Sequence, residues 1–278
     1  KGFKDKLTAE LTAKGREVEI LEKVASGDSS ECTSIVNGFV ASDVDLIMAN
    51  ATPALQAAFT ATETIPVLGT SITEYSVATG LPMKDGKSGT NISGTSDIAS
   101  IEEQINLMLD LLSNSNKTVN KVGILYCSSE ANSLYQVNEA KKFLEAKGKS
   151  AQAYSFAETT DLAAVCNTIA ANNDALYIPT DNTVASNGEV VYSNVVEKGI
   201  PVFAGEAGIC KKCGFATLSI DYYRLGEVTG TMAANILLGE KDITTYEIQY
   251  DNNPSKMYNK AIAEKLGITI PSDFVEII

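Results

Sequence analysis

The sequence predicts an α/β protein of two doubly wound, parallel-sheet lobes. Three observations predict it. Short apolar runs alternate strictly with segments of helical period, the pattern of right-handed βαβ units. The order of pieces occurs twice, each time closing on an "IPV" strand bounded by Gly or Thr. At 278 residues and 44% hydrophobic, the chain can bury one large core or two smaller ones.

The elements follow in order. The first run, residues 1 to 95, reads helix, strand "REVEILEKVA" (16–25), helix, strand "DLIMA" (45–49), helix 52–61 and strand "IPVLG" (65–69). The second, residues 96 to 216, reads helix 97–113, strand "KVGILY" (121–126), helix 131–147, strand "SAQAYSFA" (150–157) and helix 160–172. Strand "DALYIP" (174–179), helix 186–198 and strand "IPVFAG" (200–205) complete it. Each strand is a short apolar run rich in β-branched residues, as buried parallel strands are. "GTNISG" (89–94), short, Gly-rich and polar, reads as a crossover or hinge between the lobes.

Composition excludes several functions. Net charge is −13, from 22 basic and 35 acidic residues, and only Arg16 and Arg224 are arginines. Such a surface repels phosphate backbones, so no nucleic-acid partner is expected. Histidine is absent, which removes the usual general base and the commonest zinc ligand. No apolar run of about 18 residues could span a membrane, and no signal peptide is visible. The five cysteines, at 32, 127, 166, 210 and 213, form no evident framework. Cys210-Lys-Lys-Cys213 is read as structural or incidental, because a metal would need two further ligands. The GxGxxG and GxxxxGK[ST] phosphate loops are missing. No metal or cofactor is expected.

In an open parallel sheet the ligand lies beyond the carboxyl ends of the strands. The turns there are "NATPA" (50–54), "GTSITEY" (69–75), "CSSEANS" (127–133), "PTDNTV" (179–184), "GEAG" (205–208) and "SIDYY" (219–223). They are expected to line one shared cleft. Thr52, Thr70, Ser71 and Ser133, with helix N-terminal N–H groups, suit an anion such as a carboxylate. Glu74, Glu130, Asp181, Glu206 and Asp221 suit an ammonium. Together they describe an amino-acid zwitterion. Each of these residues also reads as a helix cap, worth about 1 kcal/mol. Asp181, with Asn182 beside it, is the leading ammonium site, since no arginine lies near it in sequence to pair with its charge.

The series "NATPALQAAF", "IPVLGTSITEYSVATGL", "GTNISGTSD", "KVGILYCSSEANS", "IPTDNTV", "GEAGICKKCGFATLSIDYYRLGEVTG" and "AIAEKLGITIP" resembles ABC-transporter substrate-binding proteins related to the tryptophan and tyrosine uptake system. The resemblance implies a type I periplasmic-binding-protein fold, its two lobes joined by three crossovers around a ligand cleft. Family-like contacts fall on Thr52, on the turn from Thr70 and Ser71 to Glu74, on Asn132 and Ser133, on Asp181 and Asn182, and on Asp221. Relatives often carry Asp-Pro where this chain has Glu74-Tyr75. "KGFKDKL" resembles the middle of the family's first helix, which places the first strand before Lys1. The lobes would be 1–95 with 217–239, and 96–216 with 240–278.

The implied function is an extracytoplasmic solute-binding protein, a periplasmic protein or a cell-surface lipoprotein. It would capture an amino-acid-like ligand, an aromatic one favoured, and deliver it as a monomer to an ABC permease. It is expected not to be an enzyme. The alternative is a ligand-sensing core or a carboxylate-dependent enzyme on the same scaffold.

Overall fold

The computed structural model describes residues 1–251 and 253–278. The chain divides into two compact units, each assembled from separate stretches. One comprises Lys1–Ile98 and a return segment beginning at Asp221; the other comprises Ala99–Ile220 and a return beginning at Asn253.

The first unit begins with α1 (Gly2–Ala13) and α2 (Ser29–Ala41), followed by β1 (Ile47–Asn50), α3 (Thr52–Ala61), β2 (Val67–Ile72), α4 (Tyr75–Thr79) and β3 (Ile92–Ser96). The second contains α5 (Ile101–Asn114), β4 (Lys121–Cys127), α6 (Ala131–Ala146), β5 (Ser150–Phe156), α7 (Leu162–Asn172), β6 (Ala175–Ile178), α8 (Asn182–Ser186), α9 (Gly188–Asn194), β7 (Val202–Ala204), α10 (Ala207–Cys213) and β8 (Ala216–Ser219). The first return supplies α11 (Tyr222–Leu237) and β9 (Gln249–Tyr250). The second supplies β10 (Ser255–Tyr258), α12 (Lys260–Leu266) and β11 (Val275–Glu276).

In the first unit the strand order is β1-β2-β3-β9, all parallel. Side chains alternate across this sheet. Val67 packs with Val36, Leu55 and Ala58 of α2 and α3, whereas Leu68 packs with Phe3, Leu7, Leu11 and Met232 of α1 and α11. Helices α1 and α11 approach closely because Gly226 and Gly230 carry no Cβ; one built there would sit 2.9 Å from the Phe3 amide nitrogen and 2.8 Å from its carbonyl oxygen.

In the second unit the order is β11-β10-β8-β7-β6-β4-β5. Strands β6, β7 and β8 are buried at every residue, as strands covered on both faces must be. The polar ends of the helices are met locally. Ser100 accepts the Glu103 N–H at the start of α5, and Asn259 accepts the Ile262 N–H at the start of α12. The α/β class and paired-sheet architecture expected from the sequence are present.

Four local expectations differ. "REVEILEKVA" is no strand: residues 16–25 pair with no ladder among the described residues, and Leu21 and Val24 are exposed. Val18 and Ile20 pack against the α1–α11 core, but β-propensity without a partner edge makes no strand. The "GTNISG" stretch is no mere hinge, because its last three residues open the buried β3. The sheet of the second unit is not wholly parallel, since β10 runs antiparallel to β8. Residues 240–251, expected with the second lobe, lie with the first unit: β9 pairs with β3, and Ser93 donates to the Tyr246 carbonyl at 2.9 Å.

Candidate functional site

The expected site residues fall at strand ends in both units. In the first, a single residue, Ala51, connects β1 to α3. Its amide donates to the Thr70 carbonyl, and the turn is so short that Ala51 takes φ 75° and ψ 158°. Only glycine occupies that region without strain, and a side chain there costs about 1–3 kcal/mol. An alanine has no oxygen to cap with, so α3 starts without a side-chain cap. Thr52 is buried in the first turn of this helix.

Thr70 stands level with Asn50 on the neighbouring strand. Its hydroxyl accepts from Thr229 at 3.1 Å and from Thr95 at 3.3 Å. Ser71 follows at φ 56°, so two adjacent strand ends each hold a non-glycine residue at positive φ. Glu74 caps α4, accepting the Ser76 N–H at 3.1 Å and its hydroxyl at 2.8 Å. Asp221 is exposed and caps α11 through the N–H groups of Tyr223 and Arg224.

In the second unit β4 and β6 end beside each other. Asp181 is 1% exposed and has both oxygens engaged: Oδ2 accepts the Cys127 N–H at 2.7 Å and Oδ1 the Val184 N–H at 2.8 Å. Its carboxyl is pushed up to about 6, first by burial and then by the charge of Glu130, against the lowering pull of those two N–H bonds. Backbone amides thus meet Asp181, and it caps α8, the other reading that the sequence left open for it.

Glu130, one of the acids that the sequence offers for an ammonium, organises the β6 turn. Its Oε2 accepts the Asn182 N–H at 3.0 Å and side-chain amide at 2.7 Å; its Oε1 accepts the Thr183 N–H at 2.8 Å and hydroxyl at 2.7 Å. One face of α6 reads the β6 turn: the Thr180 carbonyl accepts from Asn132 Nδ2, Ser133 Oγ and Gln136 Nε2 at 3.0–3.2 Å. Gln136 was not among the residues expected from the sequence, although its i, i+4 spacing from Asn132 on a predicted helix was the available signal. The other side of the Asn132 amide is different: Oδ1 is buried with no partner. Among the described residues no lysine or arginine pairs with Glu130 or Asp181.

Glu206 caps α10 through the N–H groups of Gly208 and Ile209, and burial raises its carboxyl. All five cysteines are buried and unbridged. Burial holds the Cys210 and Cys213 thiols far above their ordinary range, so both are protonated and inert as nucleophiles. Among the described residues no group of three His, Cys, Asp or Glu could hold a metal ion, and no helix is long and apolar enough to cross a membrane.

Residues 1–276 match the family model of the ABC transporter substrate binding proteins. The chain belongs to this family. The substrate-binding protein is 32% identical over 240 residues to a "Tyrosine-binding protein" of Clostridioides difficile (strain R20291), covering 86% of this chain and 66% of that relative. It thus spans slightly less than two thirds of the curated relative's length. It superposes with a TM-score of 0.89 and 30% identity on an ABC domain from Streptococcus pneumonia in complex with L-Trp, covering 100% of this chain and 95% of the other. A ligand-free, open substrate binding protein with adhesive properties from Clostridium difficile gives 0.73 and 31%, covering 99% and 94%. A glucose-galactose binding protein from Geobacillus stearothermophilus, at 15% identity and 0.62, shares the fold alone.

Proposed function

We propose that this substrate-binding protein captures an amino acid, an aromatic one favoured, outside the cytoplasm and presents it to an ABC permease. The observation that carries the reading is the start of α3: a buried threonine and uncapped N–H groups beside the Thr70–Ser71 turn, at two strand ends held in strained backbone. Helix N-termini with hydroxyls suit a ligand carboxylate. Strain of this kind concentrates at ligand clamps.

The second unit carries its own acceptor suited to an ammonium. Asn132 Oδ1 is a buried acceptor without a donor, set among carboxylates that lack a cationic side chain. Leaving such an acceptor unmet costs about 1–3 kcal/mol, which a ligand N–H would recover. Ser133 and Asn182 support this arrangement by holding the β6 turn, whereas Glu74 and Asp221 cap helices of the first unit. The aromatic preference is supported by the relatives, one named for binding tyrosine and one solved with L-Trp.

No step in this reading transforms the ligand. Calorimetric titration with L-tyrosine, L-tryptophan, L-phenylalanine and L-isoleucine, followed by mass spectrometry of the recovered ligand, tests it. Saturable binding of an aromatic amino acid, returned unchanged, is expected. Chemical turnover, or no binding of any of the four, sinks the reading.

A further inference from the structure

Strand β2 carries a one-residue bulge at the turn assigned to the carboxylate. Gly69 pairs with Gly94 and Ile72 with Ser96, so three steps on β2 face two on β3. The extra residue takes up the positive φ of Ser71. One side chain spans both strands at that bulge. Tyr75, the first residue of α4, is 1% exposed, and its hydroxyl donates toward the Gly69 carbonyl of β2 at 3.0 Å and the Thr95 carbonyl of β3 at 3.1 Å.

The registered glycines make this fit possible. A Cβ on Gly69 would come within 2.6 Å of the phenol oxygen, and one on Gly94 within 2.4 Å. The ring thus fills a hole that two side-chain-free residues leave in the sheet. Residues 70–74 are tied at both ends, by the Gly69–Gly94 pairing before them and by this buried ring after them. Burial, reinforced by the nearby charge of Asp97, keeps the phenol protonated and able to donate.

We propose that Tyr75 is a positioning residue: by bridging Gly69 and Thr95 it holds the Thr70–Glu74 turn in the bulged shape that presents Thr70 and Ser71 to the ligand carboxylate. It thereby sets how strictly the protein requires that carboxylate. The proposal rests on the amino-acid reading above. A non-glycine residue in the left-handed region persists only when its surroundings over-determine it, and the phenol bridge does so here beside the Asp97 N–H bond to the Ile72 carbonyl and the Ser96 hydroxyl bond to the Thr73 carbonyl.

Tyr75→Phe keeps the ring and removes the bridge. Calorimetry would compare L-tyrosine, tyramine, which lacks the carboxylate, and 3-(4-hydroxyphenyl)propionate, which lacks the ammonium. Affinity for L-tyrosine and for the propionate is expected to fall about tenfold, the size of one buried hydrogen bond left unmade, while tyramine is unaffected. Gly69→Ala, which crowds the phenol oxygen, is expected to give the same pattern, and it decides the matter should Tyr75→Phe not fold. A lowered melting temperature with the L-tyrosine to tyramine ratio unmoved would show a merely structural tyrosine and overturn the proposal. Wild-type protein that binds neither these three nor any of the four amino acids above overturns the amino-acid reading itself, and the role of Tyr75 with it; where L-tryptophan is the one bound, tryptamine and 3-(indol-3-yl)propionate replace the tyrosine analogues.

Discussion

Ala51 carries a methyl group where the backbone conformation favours none, and that strain has a measurable size. Replacing it by glycine relieves about 1–3 kcal/mol of strain and gives back about 0.5–1 kcal/mol in the entropy of the unfolded chain. Ala51→Gly is therefore expected to stabilise the fold by about 1 kcal/mol, read from the midpoint of urea denaturation. Its neighbour Thr52 bears on the ligand instead. Thr52→Val is expected to weaken L-tyrosine binding by about 1–3 kcal/mol through a lost bond, and unchanged calorimetric affinity would reduce Thr52 to a packing residue. Asp181 makes a statement about pH. Its folded-state value of about 6 stands above the ordinary 3.8, so between those values the folded protein holds a proton that the unfolded chain releases. This group's contribution is greatest below about pH 4 and is lost as pH rises toward 6. Asp181→Asn is expected to flatten that part of the stability profile in melts from pH 4 to 7. It should also destabilise the protein by about 1–3 kcal/mol, because an amide can accept only one of the two backbone N–H groups that the carboxylate now serves. The cap bond to Val184 was one reading of the sequence, but the bond to the Cys127 N–H was illegible. The strand-end turns could be found from alternation alone, but an aspartate bound by backbone amides and one awaiting a ligand look the same in a string of letters.

Elements were legible where apolar period and caps coincided. Helix α3 runs over the predicted 52–61, whereas α5, expected from 97, opens only at Ile101, after Ser100 has capped it. Strand β3 was not legible because its burial comes without apolar residues. In "ISGTS" only Ile92 is hydrophobic, and the rest is buried by polar complementarity: Ser93 meets the Tyr246 carbonyl, Thr95 meets Thr70 and Thr229, Ser96 meets the Thr73 carbonyl, and the Tyr75 ring covers Gly94. Periodicity cannot register partners contributed from elsewhere in the chain. The opposite failure is "REVEILEKVA", whose strand-like alternation is unpaired among the described residues and mostly exposed apart from Val18, Ile20 and Ala25. Backbone of that kind opens at little cost, so proteases reach it first. Brief trypsin digestion is expected to cut after Arg16 or Lys23 before any site within α3, α5 or α11, with fragment masses as the check.

At the scale of the whole molecule, neither unit is a continuous piece of chain. The α1 core residues Phe3, Leu7 and Leu11 pack with Met232, Ala233 and Ala234 of α11. Likewise β8 is flanked by β10 from the C-terminal return. A chain ending at Ile220 is therefore expected to lack protected structure in its first helix. Hydrogen exchange of residues 2–13 should be complete at the earliest time point, and slow exchange there would show that α1 is held without α11. The order of synthesis gives the same arrangement another meaning. Helix α1 leaves the ribosome about 200 residues ahead of the helix it packs against, a wait of roughly 10–40 s at typical rates of elongation. Throughout that interval the nascent chain has no complete core in its first unit. Any factor that acts on unfolded polypeptide, a chaperone for instance, has that interval in which to engage the first unit.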